Sequence, residues 1–290
     1  EELGVESIVF VPGRPEAVLV HTYASRLTFV SDADGRPLPA TDERHVYVRD
    51  FGTISAVAFS ADGARMALGG TDGAVSVWDM RDAARPDFLT VHKGAHVSPV
   101  RACVFSPDGE HVYSFEAVGR AVHCWTVAEH AERIGERAET HAFPCPAGTV
   151  SGISLGGDLL LMRTSLSRLA AFDVVTHQVV GEWRVGRSVE IDGFTLAAGD
   201  VARFATSDAT LSEWDVGLAS PRRVHAWERS KYGAVTCIRE SRNKAVCVCL
   251  DTTAGRVTVL RAASWDVWAT ISYADVLAVA PSALPVASLD

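Results

Sequence analysis

The chain is poor in the patterns that usually announce chemistry. Its six cysteines, Cys103, Cys124, Cys145, Cys237, Cys247 and Cys249, include no C-x-x-C pair, which argues against a zinc site of that spacing. No G-x-x-x-x-G-K-[ST], G-x-G-x-x-G or H-E-x-x-H string occurs, so phosphate-cradling and helix-borne metal motifs are absent. Positive charge is not in excess. A formal net charge of −9 works against generic attraction to nucleic acid or an anionic membrane. Long apolar runs are missing too: the longest, 276–289, is cut by Pro281 and Pro285 and is too short to span a bilayer. No N-terminal stretch has the charged-then-apolar order of a signal peptide, although the chain starts at Glu1 rather than Met, leaving room for a targeting segment upstream. Cysteines lying inside apolar strands read as buried, reduced thiols. The expected location is intracellular, cytoplasmic or nuclear.

What the chain has is turns and alternation. Residues 52–80, GTISAVAFSADGARMALGGTDGAVSVWDM, hold three short β-runs at 54–59, 66–69 and 74–78. Ala61-Asp-Gly63 and Thr71-Asp-Gly73 separate them, and Asp-Gly between alternating apolar runs is a strong hairpin signal. Three such strands cannot bury both faces alone and need neighbours of the same kind. The neighbours are there. Phe29, Trp78, Trp125, Phe172, Trp214 and Leu260 fall at the same point of successive units, 42 to 49 residues apart. Phe59-Ser-Ala-Asp-Gly63 recurs as Phe105-Ser-Pro-Asp-Gly109. A period in the forties with about four strands per unit predicts propeller blades.

These residues resemble the WD40-repeat family: Trp78-Asp79 and Trp214-Asp215 are the Trp-Asp pair, and Phe172-Asp173 is a weakened copy. The expected fold is all-β, a WD40-type β-propeller of four-stranded antiparallel blades in one domain over residues 1–290. Blades are expected near 3–48, 52–91, 97–143, 148–185, 189–228 and 233–272, with a partial one at 274–290. That gives seven blades, the last completed by residues outside this chain or by another chain, with six as the alternative. Outer strands are expected at 45–48, 88–91, 179–185, 224–227 and 267–271, the last blade's first strands at 235–238 and 245–250, and a short helix or charged loop at 128–139, where Ala, Glu and Arg dominate.

In the family an Asp in the turn before the third strand binds a loop His, a Ser or Thr and the Trp indole. The resemblance therefore implies structural roles for Asp72, Trp78, His96, Trp125, Asp208 and Trp214. No blade holds the full set: the loop before blade two lacks His, and blade three has His96 but Gly119 where the Asp belongs. Gly152-Ile-Ser154-Leu-Gly156 imitates a nucleophile elbow, but a strand, not a helix, is expected after it. No catalytic residue, metal or cofactor is assigned.

Family loops lie on two faces. Those assigned to the upper one hold Arg26, Arg49, Lys93, Arg120, Arg163, Arg168, Arg187, Arg229, Lys231 and Arg256, while Asp82, Asp87 and other acids collect below. With Tyr23, Phe51, Trp227, Tyr232 and Tyr273 as anchors, the upper face would accept an acidic or phosphorylated segment. The residues expected to bind a partner are Arg49, Phe51, Lys93, Arg120, Arg187, Trp227, Arg229, Lys231 and Tyr232. The resemblance implies a non-catalytic scaffold, a subunit of a hetero-complex whose partners are proteins rather than nucleic acid. The alternatives are a propeller enzyme, or phosphoinositide or RNA binding; the phosphoinositide motif of such propellers is matched here only by Pro221-Arg-Arg-Val224.

Overall fold

The computed structural model describes residues 5–14, 17–22, 27–31, 52–82, 86–127, 141–185, 189–197, 200–218, 220–241, 245–251 and 253–272. They fall into two compact units, one within Glu1–Pro144 and one within Cys145–Pro281. The architecture is nearly all-β.

The first unit holds three sheets. One is three-stranded: β1 (Val5–Phe10), β2 (Ala17–Thr22) and β3 (Leu27–Ser31). The next comprises β4 (Ile54–Phe59), β5 (Arg65–Gly70), β6 (Val75–Asp79) and β7 (Asp87–His92). The third is β8 (Val100–Phe105), β9 (His111–Glu116), β10 (Ala121–Thr126) and β11 (His141–Pro144).

The second unit holds three four-stranded sheets. They are β12 (Val150–Gly156), β13 (Leu159–Thr164), β14 (Arg168–Asp173) and β15 (Val179–Arg184); β16 (Ile191–Ala197), β17 (Val201–Thr206), β18 (Thr210–Asp215) and β19 (Ser220–Ala226); and β20 (Cys237–Glu240), β21 (Val246–Asp251), β22 (Arg256–Arg261) and β23 (Val267–Ser272). Neighbouring strands are antiparallel throughout. This is the blade of a WD40-type β-propeller, repeated.

The Asp-Gly turns work as their chemistry requires. In the β4–β5 turn the Ser60 hydroxyl donates to the Asp62 carboxylate, which also accepts the Ala64 N–H at 3.0 Å. Gly63 closes the turn with φ +72°, and a Cβ there would sit 1.9 Å from the Pro12 carbonyl oxygen. Only glycine fits on both counts. Ser106, Asp108 and Gly109 repeat the arrangement in the β8–β9 turn.

Each pair of consecutive sheets within a unit shares an apolar seam. Leu19, Phe29, Met66 and Trp78 fill the first, Val77, Val100, Val112 and Trp125 the second. In the other unit Leu161, Trp183, Phe194 and Phe204 fill one seam, and Leu211, Trp227, Ile238 and Leu260 another. Burying a side chain of this size contributes about 1.5–3 kcal/mol, which single sheets cannot collect alone. The first strand of one sheet lies against the first two of the sheet before, as β8 does on β4 and β5, and β20 on β16 and β17.

Most expected strands match to within one residue, but three local expectations are corrected. The outer strand β19 begins at Ser220, not near 224. Its residues are mostly solvent-exposed, so no alternation marks it, and Pro221 is tolerated on such an edge. The first strand of the last sheet runs Cys237–Glu240 rather than 235–238. Residues 229–232, read as loop, form the single helical turn α1 (Arg229–Tyr232). The expectations at 45–48, 128–139 and 274–290 lie outside the described residues.

Candidate protein-interaction surface

In the first unit the loop between β7 and β8 is fastened from below. His96 is buried, and its Nε2 lies 2.7 Å from the Ser114 hydroxyl, which also accepts the Trp125 indole N–H at 2.7 Å. No Asp completes this set. Instead Glu116, at the end of β9, accepts the N–H groups of Val97 (2.7 Å) and Ser98 (2.6 Å) and the Ser98 hydroxyl (2.8 Å). Burial works to raise the Glu116 carboxyl, but these three donors outweigh it and hold it below its usual range. Its side chain fills the space where the turn Asp would stand: a Cβ on Gly119 would come 2.6 Å from Glu116 Cγ. The fastened loops leave Val97 and Val118 pointing outward, 87% and 64% exposed. Lys93 and Arg120, also exposed, border them in sequence.

The other two Asp-bearing sheets differ. Asp72 accepts the Ala74 N–H at 3.0 Å, and the Trp78 indole donates to Ser76 at 3.1 Å. The loop ahead of β4, which lacks His, is tied by the Thr71 hydroxyl accepting the Thr53 N–H at 3.2 Å. Asp208 accepts from the Thr206 and Thr210 hydroxyls at 2.6 and 3.1 Å. The buried Trp214 indole N–H has no hydrogen-bond partner among the described residues.

Sequence reasoning missed a second acid of the Glu116 kind. Asp251, at the end of β21, is 5% exposed and accepts the N–H groups of Ala234, Thr253 and Ala254 at 2.9–3.0 Å. Aligning the last residues of the second strands (Gly70, Glu116, Thr164, Thr206 and Asp251) would have exposed it, since Thr164 also accepts loop N–H groups there.

In the second unit the expected anchor Trp227 is corrected. It is 7% exposed, packed with Ala205, Leu211, Val235 and Ile238, and its indole donates to the Gly233 carbonyl at 2.6 Å. Following β19, the chain turns inward here, so a tryptophan set among charged residues becomes core. Tyr232 covers it, ring centroids 5.3 Å apart, and the Lys231 ammonium rests 4.9 Å over the Tyr232 ring. Arg229 donates to the Ser207 carbonyl at 3.2 Å and Arg256 to that of Lys231 at 2.8 Å. Arg229, Lys231 and half-buried Tyr232 are thus the outward part of this corner.

Two further cations of the expected face are engaged within the chain. Arg163 lies within β13, donates to the Ile191 and Asp192 carbonyls at 2.7 and 2.6 Å, and stacks over Phe194. Arg168 pairs with Glu182. The Arg-Arg pair is also engaged: Arg222 with Asp215 at 3.2 Å, Arg223 with Glu213 at 2.7 Å and stacked 4.2 Å over Trp265. Ser154 sits within β12, its hydroxyl accepting the Leu196 N–H, and a turn into β13 follows. Arg49, Phe51 and Arg187, like Arg26, Tyr23 and Tyr273, lie outside the described residues. None of the six cysteines is in a disulfide, and all but Cys237 are buried. No group of three or more His, Cys, Asp or Glu among the described residues is placed to hold a metal ion, and no helix there is long and apolar enough to cross a membrane.

Residues 43–79 match the family described as WD domain, G-beta repeat. They include β4, β5 and β6, ending on Trp78-Asp79. These residues are a WD40 repeat, and the other sheets repeat its form. Relatives of the chain include WD repeat-containing protein 90 of Mus musculus, 32% identical over 150 residues, which are 52% of this chain and 7% of that protein. Restriction of telomere capping protein 1 of Scheffersomyces stipitis is 37% identical over 46 residues, 16% of the WD40-repeat chain and 4% of the yeast protein. Target of rapamycin complex subunit wat1 of Schizosaccharomyces pombe is 26% identical over 185 residues, 59% of this chain and 54% of that one. The WD40-repeat chain thus spans a small part of the first two and about half of the third.

Proposed function

We propose that this WD40-repeat chain is a non-catalytic scaffold subunit of an intracellular hetero-complex, with its blades forming one propeller domain over residues 1–290. The observation that carries the reading is the fastening of the β7–β8 loop. Glu116 holds loop backbone and the buried His96–Ser114 pair holds the loop by a side chain, and the exposed side chains of the two loops include apolar Val97 and Val118 and cationic Lys93 and Arg120. A rigid apolar patch with a cationic rim is suited to a protein partner rather than to bond-making. Arg229 and Lys231 with Tyr232 supply a second cationic patch. The fission-yeast relative is named as a subunit of the target of rapamycin complex, which supports a role within an assembly. The partner segment is acidic or phosphorylated, because the charged side chains of both patches, Lys93 and Arg120, Arg229 and Lys231, are cationic.

The test compares the wild-type protein with Lys93→Glu/Arg120→Glu and with Arg229→Glu/Lys231→Glu by quantitative co-purification from native extract. Each pair of substitutions should leave the melting temperature nearly unchanged and remove a partner whose capture weakens with salt. An unchanged set of partners for both variants would overturn the reading. A stoichiometric metal ion in the purified protein would turn it toward a propeller enzyme.

A further inference from the structure

Three imidazoles converge on the Trp125 indole. His92, the last residue of β7, stacks on it with centroids 4.7 Å apart and planes at 24°. His123, two residues earlier on β10, lies at 5.9 Å and 29°. His96 meets the indole edge-on at 5.9 Å and the His123 ring at 4.8 Å. His92 and His96 are each 4% exposed, and His92 Nε2 and His96 Nδ1 are buried with no hydrogen-bond partner among the described residues. The His96 network requires only a neutral ring. With Nε2–H donating to Ser114 the added proton enters at Nδ1, and with Ser114 donating it enters at Nε2; in either case the charged ring carries an Nδ1–H without an acceptor among the described residues.

We propose that His92, His96 and His123, gathered on Trp125, form an acid-operated release for the loop that joins β7 to β8. Protonating His96 and His123 would put two like charges within 4.8 Å in a buried seam, and protonating His92 would put a third against the indole. The carboxylate facing His96 and His123 is Glu116, and it is already engaged with Val97 and Ser98. Asp72 neighbours Gly73, which packs on the His96 carbonyl, but its carboxylate is turned to the Ala74 N–H. From β6, uncharged Val75 pairs with His92; from β11, Ala142 pairs with His123. Lys93, next along the loop, is exposed. The Glu116 charge offsets part of the cost at His96 and His123, and among the described residues no other carboxylate is turned to the rings.

Desolvation brings His92 and His96 down from 6.5 to about 4, and it lowers His123 as well. The open form therefore binds protons that the closed form refuses, so closure is complete above pH 6.5 and weakens as pH falls toward 4. At pH 5 one such ring favours the open form by about 10- to 30-fold. Opening exposes loop 93–99 and Trp125, whichever partner the upper loops take.

Hydrogen exchange at pH 7.5 and 5.0, corrected for intrinsic rates, tests this on the wild type and His92→Phe, which keeps the stack without a titrating nitrogen. Opening across 93–99 should rise at least 10-fold at pH 5.0 in the wild type and distinctly less in the variant, while peptides from β12–β15 stay constant. Equal acceleration in both proteins, or throughout the chain, would overturn the proposal. Should His92→Phe fail to fold, NMR titration of the wild-type histidine Cε1 protons decides: two rings titrating near pH 4–5 support the release, and all rings near 6.5 reject it.

Discussion

Two seams built on the same repeat are held by different forces. Between β4–β7 and β8–β11 the polar groups around the indole are neutral, His92 lying on Trp125 and Ser114 joining His96 to it, while charge stands further off in Glu116 and in Arg65 on the Gly109 carbonyl. Between β16–β19 and β20–β23 the polar atoms are ionic. Arg203 pairs with Glu240 and lies 3.4 Å from Glu213, while donating to Cys247 Sγ at 3.3 Å; Arg223 pairs with the same Glu213 and covers Trp265. The apolar part of each seam is similar in kind. The difference teaches that the repeat specifies a sheet with a greasy flank, and that the polar supplement is chosen seam by seam. The neutral seam should respond to acid and the ionic one to loss of a partner charge.

The largest effects strike what the seams share. Trp125→Ala and Trp227→Ala should each cost about 3–5 kcal/mol, since both remove a buried indole and leave a cavity; urea denaturation of the purified variants measures it. A loss below about 1 kcal/mol for Trp227→Ala would restore it as a surface anchor. Arg203→Ala comes next, about 3 kcal/mol, because it strands the Glu240 carboxylate in a site under a sixth exposed and leaves Glu213 to Arg223 alone. Arg203→Met with Glu240→Leu should recover much of that loss if burial rather than charge is what the seam requires.

Ser114→Ala sharpens the contrast. It leaves the Trp125 and His96 nitrogens unpaired, about 1–3 kcal/mol, and this loss should be insensitive to salt. Smaller again, about 1–2 kcal/mol, is Glu116→Gln, seen mainly as faster exchange of the Val97 and Ser98 amides. Glu116 is held below its usual range, so its contribution is complete above about pH 4.5 and is lost as pH falls through the lowered folded value. The Gln variant should lack that acid step. Removing the exposed Arg168–Glu182 pair should change stability by less than about 1 kcal/mol.

The strands were legible wherever one face is buried. β5, β6 and β9 carry buried residues through nearly their whole length, and an Asp-Gly turn just before each places its start to within a residue or two. The start of β19 escaped because both its faces are largely wet and its proline gives the wrong signal. Trp227 was misplaced for a related reason: flanking charges indicate exposure of the backbone, whereas the side chain follows the inward bend before α1. The fastening acids were hidden by displacement. The family pattern directs attention to the turn, where Gly119 stands, while the chemistry has moved three residues back to Glu116 and recurs at Asp251.

The buried thiols equip each half of the molecule with its own stopwatch. Burial pushes Cys103 and Cys249 up to about 12, so the nucleophilic thiolate is scarce until the surrounding strands part. Cys103 and Cys124 sit in β8 and β10, Cys247 and Cys249 in β21. A maleimide pulse read by mass spectrometry would therefore time the breathing of one sheet against the other in a single unlabelled sample, with nothing engineered into the chain.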